Sequence, residues 1–239
     1  MRLFLKLKKL KVVLRELNKE CYADISQRVV DKRKELDDLQ LQVMMPNVDM
    51  DVKLHLSVIW KVIRPFACKV DWNRVVWCPL YIPRHSFFSW LALLNRLPTK
   101  DRLQSWGLVS EVTCVTCSDG SESRDHLFMG CSYAHIIWKE LLLACGISRS
   151  PTDWLSEFTW LIRYGKGTTL RSVLLRLSWN SFIYWIWRER NARLFCNAFK
   201  VEHDVLALIK ESVRIKVLDT KFVVVNSSTA ALCSSWNIG

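Results

Sequence analysis

Four residues constrain this chain more than any other feature of it. Cys114, Cys117, His126 and Cys131, spaced C-x2-C-x8-H-x4-C, are the one close grouping of metal-ligand side-chain types in the sequence. Two cysteines at i and i+3 reach a single ion through a tight turn. A His and a Cys five positions apart close the tetrahedron from the other side of a short loop, which Ser118, Asp119, Gly120 and Ser121 make polar and pliable. Three thiolates and one imidazole give Zn2+ a closed, soft shell with no place for water, so the spacing predicts a structural rather than a hydrolytic site. His135 is the competing nitrogen donor, but it falls in an apolar helical run and ranks below His126. Cys21, Cys68, Cys78, Cys145, Cys196 and Cys233 have no partner at metal spacing and read as small buried hydrophobes.

The surroundings of this knot read as helical. Half of the 239 residues are hydrophobic, with 12 Trp, 10 Phe and 5 Tyr against only 7 Gly and 6 Pro, which supplies a sizeable core and few turns. No uncharged apolar run reaches the ~18 to 20 residues of a membrane span; the nearest, 173–187, is interrupted by Arg176. Nine cysteines, an odd number, and a Lys/Arg-studded start without a leader pattern favour reduced thiols and an intracellular location. Nucleus and cytoplasm stay open, because Lys6, Lys8, Lys9 and Lys11 are interleaved with Leu and make a weak import signal. The net charge of +12 sits at the two ends: residues 1–70 carry 15 basic and 9 acidic side chains, 71–150 carry 8 and 7, and 151–239 carry 12 and 7. Such ends attract phosphates over roughly a Debye length, about 8 to 10 Å, or simply solubilise the surface.

Periodicity divides the chain into five parts. Residues 1–45 lack Gly and Pro, and Leu3, Leu7, Leu10, Leu14, Leu17 and Cys21 recur by fours and threes, predicting one long basic heptad-like helix or a helical hairpin that needs a partner surface. Residues 46–70 read as a connector. The zinc region, 71–145, begins with a short helix or turn around Trp72 and Trp77. A helix over 86–97 follows, with Phe87, Trp90, Leu91, Leu94 and Leu97 apolar, and then one capped by Thr99 and ended by Gly107; after the cysteine loop comes a helix over 133–145. A helical extension over 146–225 comprises helices at 153–164, 170–199 and from 201 onward, the second with a stripe of Val173, Leu174, Leu177, Tyr184, Trp187 and Leu194. The tail, 226–239, is small and polar enough to fray. The expected fold class is mainly α: a helical domain with a small zinc-stapled loop, preceded by the N-terminal helix or hairpin.

The central stretch resembles a known family. Trp77, then Phe88, Trp90 and Leu91, then Arg96 to Thr99 and Asp101 to Leu103, then Cys114, Cys117, Glu122, His126 to Phe128, Cys131 and Trp138 follow the pattern of the zinc-binding domain found after the reverse transcriptase in plant non-LTR, LINE-type retrotransposon polyproteins. The segment IYWIWRERNARLF, Ile183 to Phe195, resembles the downstream part, and residues 5–29 resemble the helical linker that precedes the polymerase. The resemblance implies a zinc site at Cys114, Cys117, His126 and Cys131 in a domain that holds RNA or DNA beside a polymerase. It also implies a Tyr/Phe-Ala-Asp-Asp motif for a two-metal polymerase centre, which this chain lacks: its one Asp-Asp, Asp37-Asp38, lies in the charged N-terminal segment. No Walker loop, Gly-rich phosphate cradle or Ser-His-Asp context is present either. The expectation is therefore a non-enzymatic zinc module that takes no small-molecule substrate and does not enter membranes. Its expected partner is RNA or single-stranded DNA, met through basic and aromatic residues. The alternatives are an interaction protein pairing through residues 1–45 as a coiled coil, and a retroelement remnant without function.

Overall fold

One helix organises the structure, and the reason lies in its sequence. From Leu170 to Cys196 there are 27 residues without Gly or Pro, opened by Thr169, whose hydroxyl accepts from the Ser172 amide, and closed by Asn197 in the left-handed region at φ 50. At 1.5 Å per residue this is about 40 Å of rod. The computed structural model describes residues 70–219 and 229–238. The expected N-terminal helix or hairpin over 1–45, nearly all of the 46–70 connector, and residues 220–228 lie outside them.

In chain order the described elements are α1 (Asn73–Val76), α2 (Pro83–Leu93), α3 (Lys100–Ser105), a wide turn (His126–Gly130), α4 (Ser132–Ala144), α5 (Trp154–Tyr164), α6 (Leu170–Cys196), α7 (Glu202–Leu218) and α8 (Ala230–Trp236). Among the described residues there is no strand; the only β pairing is an isolated antiparallel bridge between Thr113 and Ser121. The fold is mainly helical, and no described helix is long and apolar enough to cross a membrane. Helices α2 and α7 pack along α6, α4 packs beneath α7 and the wide turn, and α8 rests on α4. One hydrophobic core runs from Val75 to Ile238, so helices before and after the cysteine loop share it.

Helix α6 differs from the single apolar stripe expected of it. It is buried on nearly every side, including Ser172, Arg176, Ser178, Asn180, Ser181, Glu189 and Arg190. A helix can be central with such residues where most of their polar atoms find partners, and Arg176 Nε and Asn180 Oδ1 are exceptions among the described residues. Here the Arg176 guanidinium donates to the carbonyls of Gly165 and Gly167, Asn180 donates to the Val75 carbonyl at 2.9 Å, and Ser181 bonds the His85 ring at 2.9 Å. The aromatic centre, Trp138, Trp154, Phe158, Trp179 and Phe182, packs ring on ring around α6.

Three expectations need correction. Helix α2 begins earlier than predicted, at Pro83, and turns inward the face of His85, Ser86, Ser89 and Ala92, while Phe87 is 47% exposed. Small side chains let α2 lie close to α6, which outweighs burying the larger apolar ones. Within the tail, the described residues 229–238 do not fray: Leu232, Cys233, Trp236 and Ile238 are buried, and the Trp236 indole donates to the Ala144 carbonyl at 3.0 Å. Two large apolar anchors and one satisfied indole hold a segment whose small polar residues alone suggest mobility. Among the unpaired cysteines, Cys78, Cys145 and Cys233 are buried as expected, but Cys196 is exposed at the end of α6.

Candidate metal centre

The cysteine loop is shaped by its own backbone before any ligand is considered. The Cys114 amide donates to the Gly120 carbonyl at 3.0 Å, Ser118 donates back to the Cys114 carbonyl at 2.9 Å, and Glu122 donates to Val112 at 2.7 Å. Ser118 and Gly120 take positive φ, 58 and 64, which folds the chain into a tight knuckle with Cys114 and Cys117 on its inner side. His126 opens the wide turn and Cys131 closes it: the Cys131 amide reaches the His126 carbonyl, five residues back, at 2.6 Å. Such i to i+5 turns swing consecutive side chains out of helical register, and here one brings an imidazole and a sulfur to the same point. Gly120 clears the space for that imidazole, since a Cβ there would stand 3.1 Å from His126 Cε1, whereas a Cβ at Gly130 would be in ordinary contact with the ring at 3.4 Å.

The four predicted ligands are thus brought together. Their donor atoms all lie within 4.8 Å of one another, with Cys117 Sγ 3.3 Å from His126 Nε2. A tetrahedron with Zn–S of about 2.3 Å and Zn–N of about 2.0 to 2.1 Å has edges of about 3.5 to 3.8 Å, so the cluster needs only a small contraction to accept the ion. Cys114 and Cys131 are buried, whereas Cys117 and His126 are partly exposed. The donor set of three sulfurs and one nitrogen fits Zn2+ and leaves no coordination position for a reacting water. His135, the weaker candidate, is not among the four.

The three thiols are electrostatically unequal. A hydrogen bond from the Cys131 thiol brings Cys114 down to about 3, helped by Thr116 and by the amides of Cys117 and Thr116 and opposed by burial. The same bond, with burial, pushes Cys131 far up, and burial raises Cys117. Thiols that share a proton so tightly release it when a divalent ion takes its place.

The residues that brace the cluster were not legible as such. The Thr116 hydroxyl sits 3.0 Å from Cys114 Sγ and 3.2 Å from Cys131 Sγ, bonding both sulfurs. Arg193 of α6 donates to the Thr116 carbonyl at 2.8 Å and also to Glu189 and to the Lys200 carbonyl. Arg190, one turn earlier, forms a fully buried ion pair with Glu122 at 2.7 Å, and the same carboxylate accepts from the Lys100 amide at 2.9 Å. Lys100 Nζ in turn holds the Thr113 carbonyl at 2.8 Å. The Arg-Asn-x-Arg run near the end of α6 therefore grips both sides of the cysteine knuckle, which gives the downstream part of the sequence pattern a mechanical meaning.

Residues 55–138 match the family model described as zinc-binding in reverse transcriptase. No curated protein and no solved structure matches the chain.

Proposed function

We propose that this chain, which carries a reverse transcriptase zinc-binding domain over residues 55–138, is a non-catalytic nucleic-acid-binding module derived from a LINE-type retrotransposon polyprotein of the plant non-LTR kind. The zinc-binding domain is an accessory region, distinct from the catalytic polymerase. What supports the reading is the closed donor set: four protein ligands, Cys114, Cys117, His126 and Cys131, whose donor atoms cluster with no place for a substrate on the ion. When bound, Zn2+ supplies a cross-link and neutralises thiolate charge, and it does no chemistry on a substrate. The chain's own residues do the rest. Arg190, Arg193 and Lys100 tie the knuckle to α6 and α3, so that metal binding stiffens a surface instead of a separate finger.

Phosphate contacts would come from the basic excess of 12 charges, and they predict affinity that falls steeply with salt. Titrating the zinc-loaded protein with RNA, single-stranded DNA and duplex DNA at several salt concentrations tests the reading. Binding at low salt with a negative log-log slope supports it, and no binding to any of the three at low salt refutes it. Residues 1–45 favour a second reading, a protein-interaction role, through their heptad seam; it predicts an oligomer that dissociates when those residues are removed. Nuclear residence suits the retroelement reading.

A further inference from the structure

Helix α5 carries an outer face that the metal cluster does not use and that meets the core only through the edge of Trp160. Asp153 caps it, its side chain accepting from the amides of Leu155 and Ser156, and Trp154, Phe158 and Leu161 hold its inner face in the core. On the outer face Trp160 and Tyr164, one turn apart, stack with ring centres 5.2 Å apart and an interplanar angle of 27°. The Arg149 guanidinium covers Trp160 at 4.2 Å, so the three groups form a column. Tyr164 ends it, 59% exposed. Beside the column runs a shallow groove of about 470 Å³, lined by Leu155, Ser156, Thr159, Arg163 and the two rings.

Charge distinguishes this face from an ordinary apolar patch. Between Phe158 and Arg188 the chain has four Arg or Lys and no Asp or Glu. Arg176 is spent inside, pinning the loop at Gly165 and Gly167. Arg163 and Lys166, both exposed, have no acidic partner among the described residues. The buried Arg176 thereby fixes the loop that carries the exposed Lys166, two residues after Tyr164. An exposed aromatic face for a base, free cations within a few residues of it for phosphates, and a groove of nucleotide dimensions are what an unpaired strand requires. Ser156 and Thr159 line the groove, and the Thr159 hydroxyl is a partner that a ribose 2′-OH could use and a deoxyribose could not.

We infer that the outer face of α5, with the open face of Tyr164 at the end of the column stacking on a base and Arg163 and Lys166 meeting phosphates, is a binding surface for single-stranded RNA. The inference rests on the nucleic-acid reading above and locates it on one helix.

The test uses the full-length zinc-loaded protein and a labelled oligouridylate, with the matching single-stranded DNA and an RNA duplex beside it. Tyr164→Ala should weaken oligouridylate binding about tenfold or more, since a stacked base contributes about 1 to 3 kcal/mol, while Tyr164→Phe keeps it. Arg163→Gln combined with Lys166→Gln should reduce the log-log salt slope by about 1.4, two single-strand phosphates. An oligouridylate carrying 5-iodouridine should cross-link to the peptide containing Trp160 and Tyr164. Zinc content and circular dichroism, unchanged in each variant, separate these effects from misfolding. Wild-type binding that persists undiminished in all the variants overturns this inference and leaves the nucleic-acid reading standing, whereas absence of wild-type binding at low salt removes both. Equal affinity for the DNA oligonucleotide overturns the assignment to RNA. A Tyr164→Ala variant that binds RNA normally but turns a dimer into a monomer makes the face a protein interface and overturns the inference as well.

Discussion

Replacing Arg190 with Met removes one half of the Arg190–Glu122 pair and leaves the other half buried. Both side chains are almost wholly inaccessible, at 1% and 0%. Glu122 Oε1 accepts from Arg190 Nε at 3.0 Å, from Nη2 at 2.7 Å and from the Lys100 amide, whereas Oε2 has no hydrogen-bond partner among the described residues. Without Arg190 a single amide remains to hold a buried carboxylate, and stranding one partner of such a pair costs about 3 to 5 kcal/mol. At about 2 to 4 °C per kcal/mol for a unit of this size, the melting temperature falls by about 6 to 20 °C. Methionine keeps most of the aliphatic volume against Trp187, over whose ring the guanidinium now sits at 4.9 Å, so the loss is chiefly electrostatic. Adding Glu122→Gln removes the stranded charge while leaving an oxygen for the Lys100 amide, and this double variant should recover about 2 kcal/mol or more. Urea titration of the zinc-loaded proteins measures both. A single variant that loses under 1 kcal/mol, or a double variant less stable than the single, refutes the reasoning.

Gly120→Ala should lower zinc affinity by tenfold or more in a chelator competition, because a Cβ there meets the His126 ring at 3.1 Å and φ is +64; unchanged affinity would show that the imidazole does not depend on that space. Trp236→Ala should destabilise by about 3 to 5 kcal/mol in a denaturant titration, since its ring is 2% exposed, whereas a tail detached from the core would tolerate the change. Burial lowers His85 from 6.5 to about 4. The unfolded chain therefore binds the extra proton first, and this residue subtracts stability as pH falls from about 6.5 to about 4. An NMR titration should show the His85 ring unprotonated until pH nears 4, and a midpoint near 6.5 would contradict its burial against Ser181 and Tyr184.

What the sequence could disclose depended on the range of the interaction. The ligand set was readable because metal chemistry demands particular side chains at short spacing, and the four donors do converge. Helix placement from Asn73 to Leu218 was readable in outline because Pro, Gly and capping residues act locally. The inward face of α2 was not, since Ser86, Ser89 and Ala92 are chosen by how closely α6 approaches rather than by their own hydrophobicity. Nor was the burial of Arg176, Asn180 and Arg190: their partners at Gly165, Val75 and Glu122 lie 11, 105 and 68 residues away, and no periodicity announces such a pairing. Trp236 was missed for the same reason, its acceptor at Ala144 being 92 residues distant.

The zinc shell is tested most directly by X-ray absorption at the zinc edge on the purified full-length chain, with metal content measured on the same sample. The account predicts one zinc per chain held by three sulfurs at about 2.3 Å and one nitrogen at about 2.0 to 2.1 Å, with a sulfur lost in Cys131→Ser and the nitrogen lost in His126→Ala. A shell of oxygen and nitrogen alone, or full zinc content with an unaltered spectrum in both variants, would contradict it.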